Sequence, residues 1–139
     1  MRPLEVLVIE DNPGDVHLIR EGLKRSCPGL GLDVRIAEDG ERALQLLLHD
    51  GFHPDMILLD LSLPKIDGHT VLSRIRSHGV DLNDVPVVVF SSSEHGMQDV
   101  LDAGANAYIV KPAGLVEYLR AIERFAILWL KPRAESATN

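Results

Sequence analysis

The apolar run Met56–Leu59 constrains the fold of this chain more than any other stretch of its sequence. Its four residues show no polar alternation, they are followed by Asp60, and Pro54 and Pro64 bound the stretch. A run this short and this uniformly apolar is typical of a strand that is buried on both faces, as in a parallel sheet covered by helices. Functional groups gather beyond the carboxyl ends of such strands, so Asp60 is the first candidate for chemistry.

Similar apolar runs recur along the chain and alternate with segments of helical spacing. Strands are predicted over residues 4–9, 32–37, 56–59, 87–90 and 107–110. Apolar residues three and four positions apart predict a helix after each strand; Asp15 is a candidate cap of the first, and the last runs from about Gly114 to Leu130. This alternation predicts an α/β protein with a doubly wound parallel sheet, because right-handed crossovers place helices on both faces.

Composition limits the classes of protein to which the chain can belong. Its 139 residues suffice for one domain, predicted over residues 1–130, and the small, polar residues 131–139 are predicted to form a disordered tail. A net charge of -7 argues against binding to nucleic acid or to anionic membranes. The N-terminus runs directly into a predicted strand, and no stretch of 18 apolar residues exists. We therefore expect a cytoplasmic protein.

Chemically active side chains follow four of the five predicted strands. Glu10 and Asp11 follow the first strand, Asp60 the third, Ser91 the fourth and Lys111 the fifth. In a parallel sheet these side chains meet at one edge. Carboxylates packed together repel one another unless a cation lies among them, and Mg²⁺ suits a site of a few carboxylate oxygens. The sequence therefore predicts a magnesium site at this edge.

Such a site favours phosphoryl transfer to a carboxylate. A metal ion and Lys111 would offset charge on the transferred group, and the Ser91 hydroxyl could donate a hydrogen bond to it. Asp60 is the central carboxylate and can form an acyl phosphate. The sequence contains no glycine-rich phosphate-binding loop and no evident pair of nucleophile and base.

These residues, taken in order, resemble the signature of a response-regulator receiver domain, and the resemblance covers roughly residues 4–130. It rests on Glu10-Asp11, Asp60, Pro64, Ser91 and Lys111-Pro112. It implies a flavodoxin-like (βα)5 fold with strand order 2-1-3-4-5. More narrowly, the segment Glu-Asp-Asn-Pro-Gly-Asp at 10–15 and the C-terminal helix with Trp129 resemble single-domain regulators that partner phytochrome-type histidine kinases.

The resemblance assigns the metal ligands. It implies that Asp11 and Asp60 bind Mg²⁺ directly and that Glu10 acts through a water molecule. The backbone carbonyl of Ser62 is expected to complete the set of protein ligands. Glu10 stands where many family members have aspartate.

The resemblance also implies the function. Asp60 is expected to accept a phosphoryl group from a sensor histidine kinase, Ser91 and Lys111 to contact that group, and Tyr108 to act as an aromatic switch. The expected output is a changed surface on helix four, strand five and helix five. Such a protein is not an enzyme in the usual sense, because it catalyses only its own phosphorylation and dephosphorylation. A phosphorelay intermediate or a phosphate sink for another kinase remains an alternative.

The end of the last predicted helix is apolar at six consecutive positions, 125–130. A helix that packs one face on a sheet cannot bury all of them, so the surplus predicts an exposed apolar patch. We expect a homodimer through the helix-four, strand-five and helix-five side, extended by Phe125, Leu128 and Trp129. The alternative is that the helix end folds back on its own domain.

Two other functions fit parts of the pattern. A phosphatase with an aspartate nucleophile also forms an acyl phosphate with Mg²⁺, but it would need that nucleophile after the first strand, whereas Asp60 follows the third. A flavin-binding or partner-binding module of the same fold would need no phosphorylation, yet the acids, Ser91 and Lys111 are all present. Magnesium-dependent binding of beryllofluoride would distinguish these functions.

Overall fold

Five parallel strands form one sheet in the order β2-β1-β3-β4-β5 in the computed structural model, which describes residues 2–29, 31–78 and 82–133. The strands are β1 (Leu4–Ile9), β2 (Leu32–Ala37), β3 (Met56–Leu59), β4 (Val87–Ser91) and β5 (Ala107–Val110). This topology confirms the flavodoxin-like fold with strand order 2-1-3-4-5. β1 and β3 are adjacent at the centre, so Glu10 and Asp60 follow neighbouring strands.

Helices connect the strands and cover both faces of the sheet. They are α1 (Pro13–Ser26), α2 (Gly40–Leu44), α3 (Gly68–Ser77), α4 (Met97–Asp102) and α5 (Leu115–Phe125). A π-helical turn extends α2 over Gln45–His49, and a second extends α5 over Ala126–Leu130. Within the described part of the chain, none of the helices combines the length and the apolar character needed to cross a bilayer.

The first helix begins earlier than the sequence pattern indicated. Pro13 occupies its first turn, and the side chain of Asn12 accepts a hydrogen bond from the Asp15 backbone N–H at 3.0 Å. Asn12 is therefore the N-cap, and the expectation that Asp15 caps α1 is wrong. Proline suits the first turn because the N–H that it lacks would have no helical partner there. The shift leaves the Asp15 side chain available for contacts elsewhere.

Side chains alternate between two apolar cores, one on each face of the sheet. Leu7 and Ile57 point into the core with α2, α3 and α4, whereas Val6 and Met56 point into the core with α1 and α5. All four residues of β3 are buried, as its continuous apolar run predicted. The polar side chains that follow the strands therefore lie beyond these apolar cores, at the edge of the sheet.

The C-terminal helix buries its apolar residues unevenly. Phe125 is 0% exposed and meets Phe90 edge to face, with 5.8 Å between the ring centroids. Ile127 and Leu128 are 45% and 63% exposed, while Trp129 is partly buried against the α1–α5 core. The expectation that Phe125 belongs to the exposed patch is wrong, because it faces the sheet three positions after buried Ile122.

The helical backbone continues over residues 131–133. For these three residues the expected disordered tail is therefore wrong. The remainder of that expectation concerns residues 134–139, which lie outside the described residues.

Candidate functional site

The sheet ladder continues for one residue beyond several strands and thereby fixes the backbone of the site. The Glu10 N–H donates to the Ala37 carbonyl at 3.0 Å, and the Asp60 N–H donates to the Ile9 carbonyl at 3.0 Å. The Lys111 N–H donates to the Ser91 carbonyl at 2.7 Å. The predicted site residues therefore leave the sheet at one edge. There, Glu10, Asp11, Asp60, Ser62 and Lys111 line a common open cleft.

Three carboxylates converge in this cleft. One oxygen each from Glu10, Asp11 and Asp60 lies within 4.8 Å of the others. Glu10 and Asp60 are buried, whereas Asp11 is exposed. Glu10 Oε2 accepts hydrogen bonds from the backbone N–H groups of Asp11 at 3.1 Å and Asn12 at 3.3 Å. These bonds fold the loop after β1 back toward the sheet and hold the acids together.

Lys111 provides the positive charge next to the carboxylates. Its ammonium lies 2.5 Å from Glu10 Oε1, 3.2 Å from Asp15 Oδ2 and 3.5 Å from Asp60 Oδ2. Burial alone would lower the pKa of Lys111, but the contacts with Glu10, Asp60 and Asp15 outweigh it, so the pKa is raised. Burial raises the pKa of Glu10 to about 7; Lys111 opposes this change and Asp60 adds to it.

The donor set fits a hard divalent cation. Mg²⁺ takes oxygen ligands and binds through one or two carboxylates while retaining water. The three converging carboxylate oxygens provide such ligands, and the raised pKa of Glu10 reflects a site in which burial and Asp60 disfavour another negative charge. The Ser62 N–H donates to Asp60 Oδ1 at 3.3 Å, so the Ser62 backbone lies beside the cluster. Metal ligation by the Ser62 carbonyl stays a prediction.

A glycine permits the close approach of α3 to the loop that carries Asp60. A Cβ atom on Gly68 would lie 2.6 Å from both the Asp60 carbonyl oxygen and Leu61 Cα. The Gly68 N–H donates to the Leu61 carbonyl at 3.1 Å. In the same loop, Lys65 adopts a left-handed backbone with φ of 67°. The position of Asp60 therefore depends on backbone contacts that only a residue without a side chain allows.

The predicted switch residues meet next to the cleft. Ser91 is buried, and its Oγ accepts a hydrogen bond from the Ser93 N–H at 3.5 Å. The hydroxyl of partly buried Tyr108 donates to the Ser93 carbonyl. Within the described part of the chain, Ser92 lines the cleft, whereas Ser91 does not. The structure thus unites the acids with Lys111 and places Ser91 and Tyr108 on either side of Ser93.

The sequence analysis did not identify Asp15 or Tyr118 as residues of the site. Buried Tyr118 donates its hydroxyl to Asp15 Oδ1 at 2.6 Å, and Asp15 in turn contacts Lys111. Burial and Asp15 raise the pKa of Tyr118. Asp15 lies in the first turn of α1, four positions after Asp11. Tyr118 lies in the first turn of α5, seven positions after Lys111. These spacings can be read from the sequence, but the sequence does not show that the first turns of α1 and α5 contact each other.

The family model described as response regulator receiver domain matches residues 6–123 of this chain. The chain belongs to the response regulator receiver domain family. The response regulator MprA of Mycolicibacterium vanbaalenii is 37% identical over 119 residues, which make up 84% of this chain and 48% of that protein. The chain thus spans about half the length of this relative.

Two solved structures of response regulators are similar to this chain over nearly their full lengths. The phosphorylated cyanobacterial phytochrome response regulator RcpA has a TM-score of 0.85 and 34% identity, covering 93% of this chain and 95% of that one. The Mn(2+)-bound form of response regulator Rcp1 has a TM-score of 0.81 and 32% identity, covering 92% and 95%. Both similarities extend beyond the fold to the sequence.

Proposed function

We propose that this protein is a response regulator in which Asp60 accepts a phosphoryl group from a sensor histidine kinase in a magnesium-dependent reaction. One observation carries the proposal. Carboxylate oxygens from Glu10, Asp11 and Asp60 lie within 4.8 Å of one another, with the Lys111 ammonium against two of these side chains. Mutual repulsion makes such a cluster costly unless it serves to bind a cation and a charged group.

The proposed reaction makes and breaks one bond to phosphorus. A P–O bond forms between an Asp60 oxygen and the phosphoryl group. The P–N bond of the donor phosphohistidine breaks, and its electron pair stays on the imidazole nitrogen. Hydrolysis later transfers the phosphoryl group to water and regenerates the Asp60 carboxylate. The protein therefore catalyses only its own phosphorylation and dephosphorylation.

Different residues of the chain are proposed to bind Mg²⁺ and to stabilise the phosphoryl group. Asp11 and Asp60 would hold Mg²⁺ directly, with Glu10 acting through water and the Ser62 carbonyl as a further ligand. When bound, the ion supplies positive charge that offsets the charge of the transferring group. The Lys111 ammonium stabilises phosphoryl oxygens from the other side, because it already lies 3.5 Å from Asp60.

Ser91 and Tyr108 form the proposed switch. The Ser91 Oγ accepts from the Ser93 N–H while its own O–H is free to donate; turning the side chain toward a phosphoryl oxygen on Asp60 would change its contact with Ser93, whose carbonyl accepts the Tyr108 hydrogen bond. Movement at Ser91 thereby reaches Tyr108 through one shared residue, and the surface of α4, β5 and α5 changes. Phosphorylation shifts the population of the two arrangements only by its differential contacts, of about 1–3 kcal/mol.

Replacement of the acceptor tests the proposal. Asp60→Asn should abolish incorporation of label from radioactive acetyl phosphate or from a phosphorylated kinase, whereas Asp50→Asn, at an exposed position, should label like the wild type. Undiminished labelling of Asp60→Asn would remove Asp60 from its role. A wild-type reaction that proceeds equally well with excess chelator would exclude the magnesium requirement.

We further propose a phytochrome-type histidine kinase as the cytoplasmic partner. RcpA is a cyanobacterial phytochrome response regulator, and its structure is similar to 93% of this chain. A phosphorelay intermediate or a phosphate sink for another kinase is the alternative function. The rate of phosphotransfer from each histidine kinase of the same organism tests the pairing. Fastest transfer from a kinase without a phytochrome sensor would contradict it.

We also propose a homodimer through the α4–β5–α5 side. Val110 on β5 and Leu128 beyond α5 are exposed, and partly buried Trp129 follows Leu128. Phe125 no longer contributes, since it is buried within its own domain. Exposed aliphatic side chains on one side of a domain favour contact with a second apolar surface.

A further inference from the structure

Lys111 is shared among three carboxylates, and the phosphoryl acceptor is the most distant of them. Its ammonium lies 3.5 Å from Asp60 Oδ2 but 3.2 Å from Asp15 Oδ2 and 2.5 Å from Glu10 Oε1. Glu10 belongs to the proposed cation site, whereas Asp15 lies four positions beyond Asp11, in the first turn of α1. Asp15 thus attracts Lys111 toward α1 and away from Asp60.

Tyr118 fixes the position of Asp15. Tyr118 is buried on α5, and its hydroxyl donates to Asp15 Oδ1 at 2.6 Å. The other carboxylate oxygen, Asp15 Oδ2, then faces Lys111. The hydrogen bond withdraws part of the carboxylate charge from Lys111 and prevents the carboxylate from turning both oxygens to it. One carboxylate therefore links α1, α5 and the lysine of the site.

We propose that Asp15 is a positioning residue that holds Lys111 back from the phosphoryl acceptor, and that Tyr118 limits the strength of this hold. The inference rests on the proposed function of Asp60. A phosphoryl group on Asp60 brings additional negative charge and competes with Asp15 for the same ammonium. The Asp15–Lys111 contact therefore lowers the affinity of the site for phosphoryl groups, and its strength depends on a residue of α5.

The two residues should have effects of opposite sign. In Asp15→Asn the competing charge is gone, so Lys111 moves more easily to the phosphoryl group. In Tyr118→Phe the Asp15 carboxylate keeps its full charge and can rotate toward Lys111, which strengthens the hold. When Asp15 is already Asn, loss of the Tyr118 hydroxyl should matter little, because it acts only through the Asp15 charge.

The experiment measures the affinity of the full chain for beryllofluoride at saturating Mg²⁺ by isothermal titration calorimetry. Relative to the wild type, Asp15→Asn should bind about fivefold to tenfold more tightly, as expected for loss of one competing charged hydrogen bond. Tyr118→Phe should bind about threefold more weakly. The double variant should match Asp15→Asn within about twofold.

Asp33→Asn provides the matched control, because it removes the same charge at an exposed position of β2, at the opposite end of the sheet. Its affinity should equal that of the wild type. Thermal unfolding of each variant identifies folded protein before titration. Equal affinities across the set, or weaker binding by both single variants, would overturn the positioning role while leaving Asp60 as acceptor. Failure of the folded wild type to bind beryllofluoride would overturn the proposed function and this inference together.

Discussion

Lys111 Nζ lies 2.5 Å from Glu10 Oε1, although 101 positions separate the two residues along the chain. The lysine leaves β5 at the edge of the sheet, and its side chain reaches back across the ends of β4 and β3 to the acid that follows β1. Its ammonium also lies 3.5 Å from Asp60. Lys111 therefore offsets part of the carboxylate charge that would attract a divalent cation, and its own positive charge would oppose that of the cation.

Lys111→Met should consequently separate metal binding from phosphoryl binding. We expect the variant to bind Mg²⁺ about threefold to tenfold more tightly, because a competing cation is gone. It should bind beryllofluoride at least about tenfold more weakly, because the charged donor to the phosphoryl oxygens is lost. Calorimetric titration of Mg²⁺, followed by beryllofluoride at saturating Mg²⁺, measures both affinities.

Lys65→Met serves as the control. Lys65 is exposed and pairs with Asp39 at 3.4 Å, away from the acidic cluster, so neither affinity should change by more than about twofold. Weaker Mg²⁺ binding by Lys111→Met would show that the lysine organises the carboxylates rather than competing for them.

The sequence predicted this site because strand ends are readable from apolar runs. Each of the five runs ends where a strand ends, within one residue, and parallel pairing then brings Glu10, Asp60 and Lys111 to one edge. The contact between Asp15 and Tyr118 was not predictable in the same way. It depends on how α1 and α5 rotate against each other, and helical periodicity identifies the buried face without giving the partner of a polar group at its margin.

The C-terminal helix shows the same limit. Six consecutive apolar residues indicate that some must be exposed, yet the pattern does not say which. Phe125 is buried because it follows Ile122 on the face that meets the sheet, and its ring fits against Phe90. The π-helical turn over Ala126–Leu130 then places Leu128 outside and Leu130 inside. Neither the packing of Phe90 nor the π-helical turn has a signature in this sequence.

Gly68→Ala should distort the loop that carries Asp60. The new Cβ would lie 2.6 Å from the Asp60 carbonyl oxygen and from Leu61 Cα, and backbone atoms cannot move aside cheaply. We expect a loss of about 1–3 kcal/mol in the free energy of unfolding and weaker Mg²⁺ binding. Urea denaturation and calorimetry measure the two effects. In Gly31→Ala the nearest atoms would be 3.4 Å away, so this control should retain near-normal values of both, and equal behaviour of the two variants would contradict the explanation.

Arg76 should be a major source of stability on the side of the sheet opposite α1 and α5. Its guanidinium donates to the carbonyls of Gly104 at 3.0 Å, Leu82 at 2.8 Å and Val85 at 3.0 Å, and to Asn106 Oδ1 at 2.8 Å. These bonds join α3 to the segments before β4 and β5. Arg76→Met should cost about 2–4 kcal/mol in the free energy of unfolding, because several carbonyls lose their donor.

The matched control for Arg76 is Arg74→Met, since Arg74 lies on the same helix and is exposed. Its free energy of unfolding should stay within about 0.5 kcal/mol of the wild type. Chemical denaturation of both variants provides the comparison, and a similarly small cost for Arg76→Met would show that water replaces the guanidinium at these carbonyls.

Asp55 should make stability depend on pH in the acid range. Burial raises the pKa of Asp55, but the Arg2 guanidinium, at 2.7 Å, and the Glu5 N–H, at 2.8 Å, outweigh burial, so the pKa lies below its ordinary value. A depressed pKa in the folded state contributes stability above the pKa of the unfolded state, about 3.9, and this contribution disappears as pH falls through the folded value.

Asp55→Asn should therefore be less stable than the wild type by about 1–2 kcal/mol at pH 7, a range that allows for the 58% exposure of the Arg2 side chain. The difference should shrink as pH falls below about 4. Urea denaturation from pH 7 down to pH 3 tests this, with Asp33→Asn as the exposed control. A difference between Asp55→Asn and the wild type that stays constant over this range would exclude ionisation of Asp55 as its source.

Leu128→Glu should prevent the proposed self-association without unfolding the domain. Leu128 is 63% exposed, so a charge is tolerated in the monomer but would be buried in a dimer, where an unpaired charge is costly. Sedimentation velocity at tens of micromolar should show a wild-type dimer and a Leu128→Glu monomer. Val116→Glu is the matched control: Val116 is 56% exposed but lines the groove between α1 and α5, away from the α4–β5 side, and this variant should remain dimeric. A wild-type monomer both with and without beryllofluoride would rule out the dimer, whereas dissociation by Val116→Glu alone would move the interface to the α1–α5 groove.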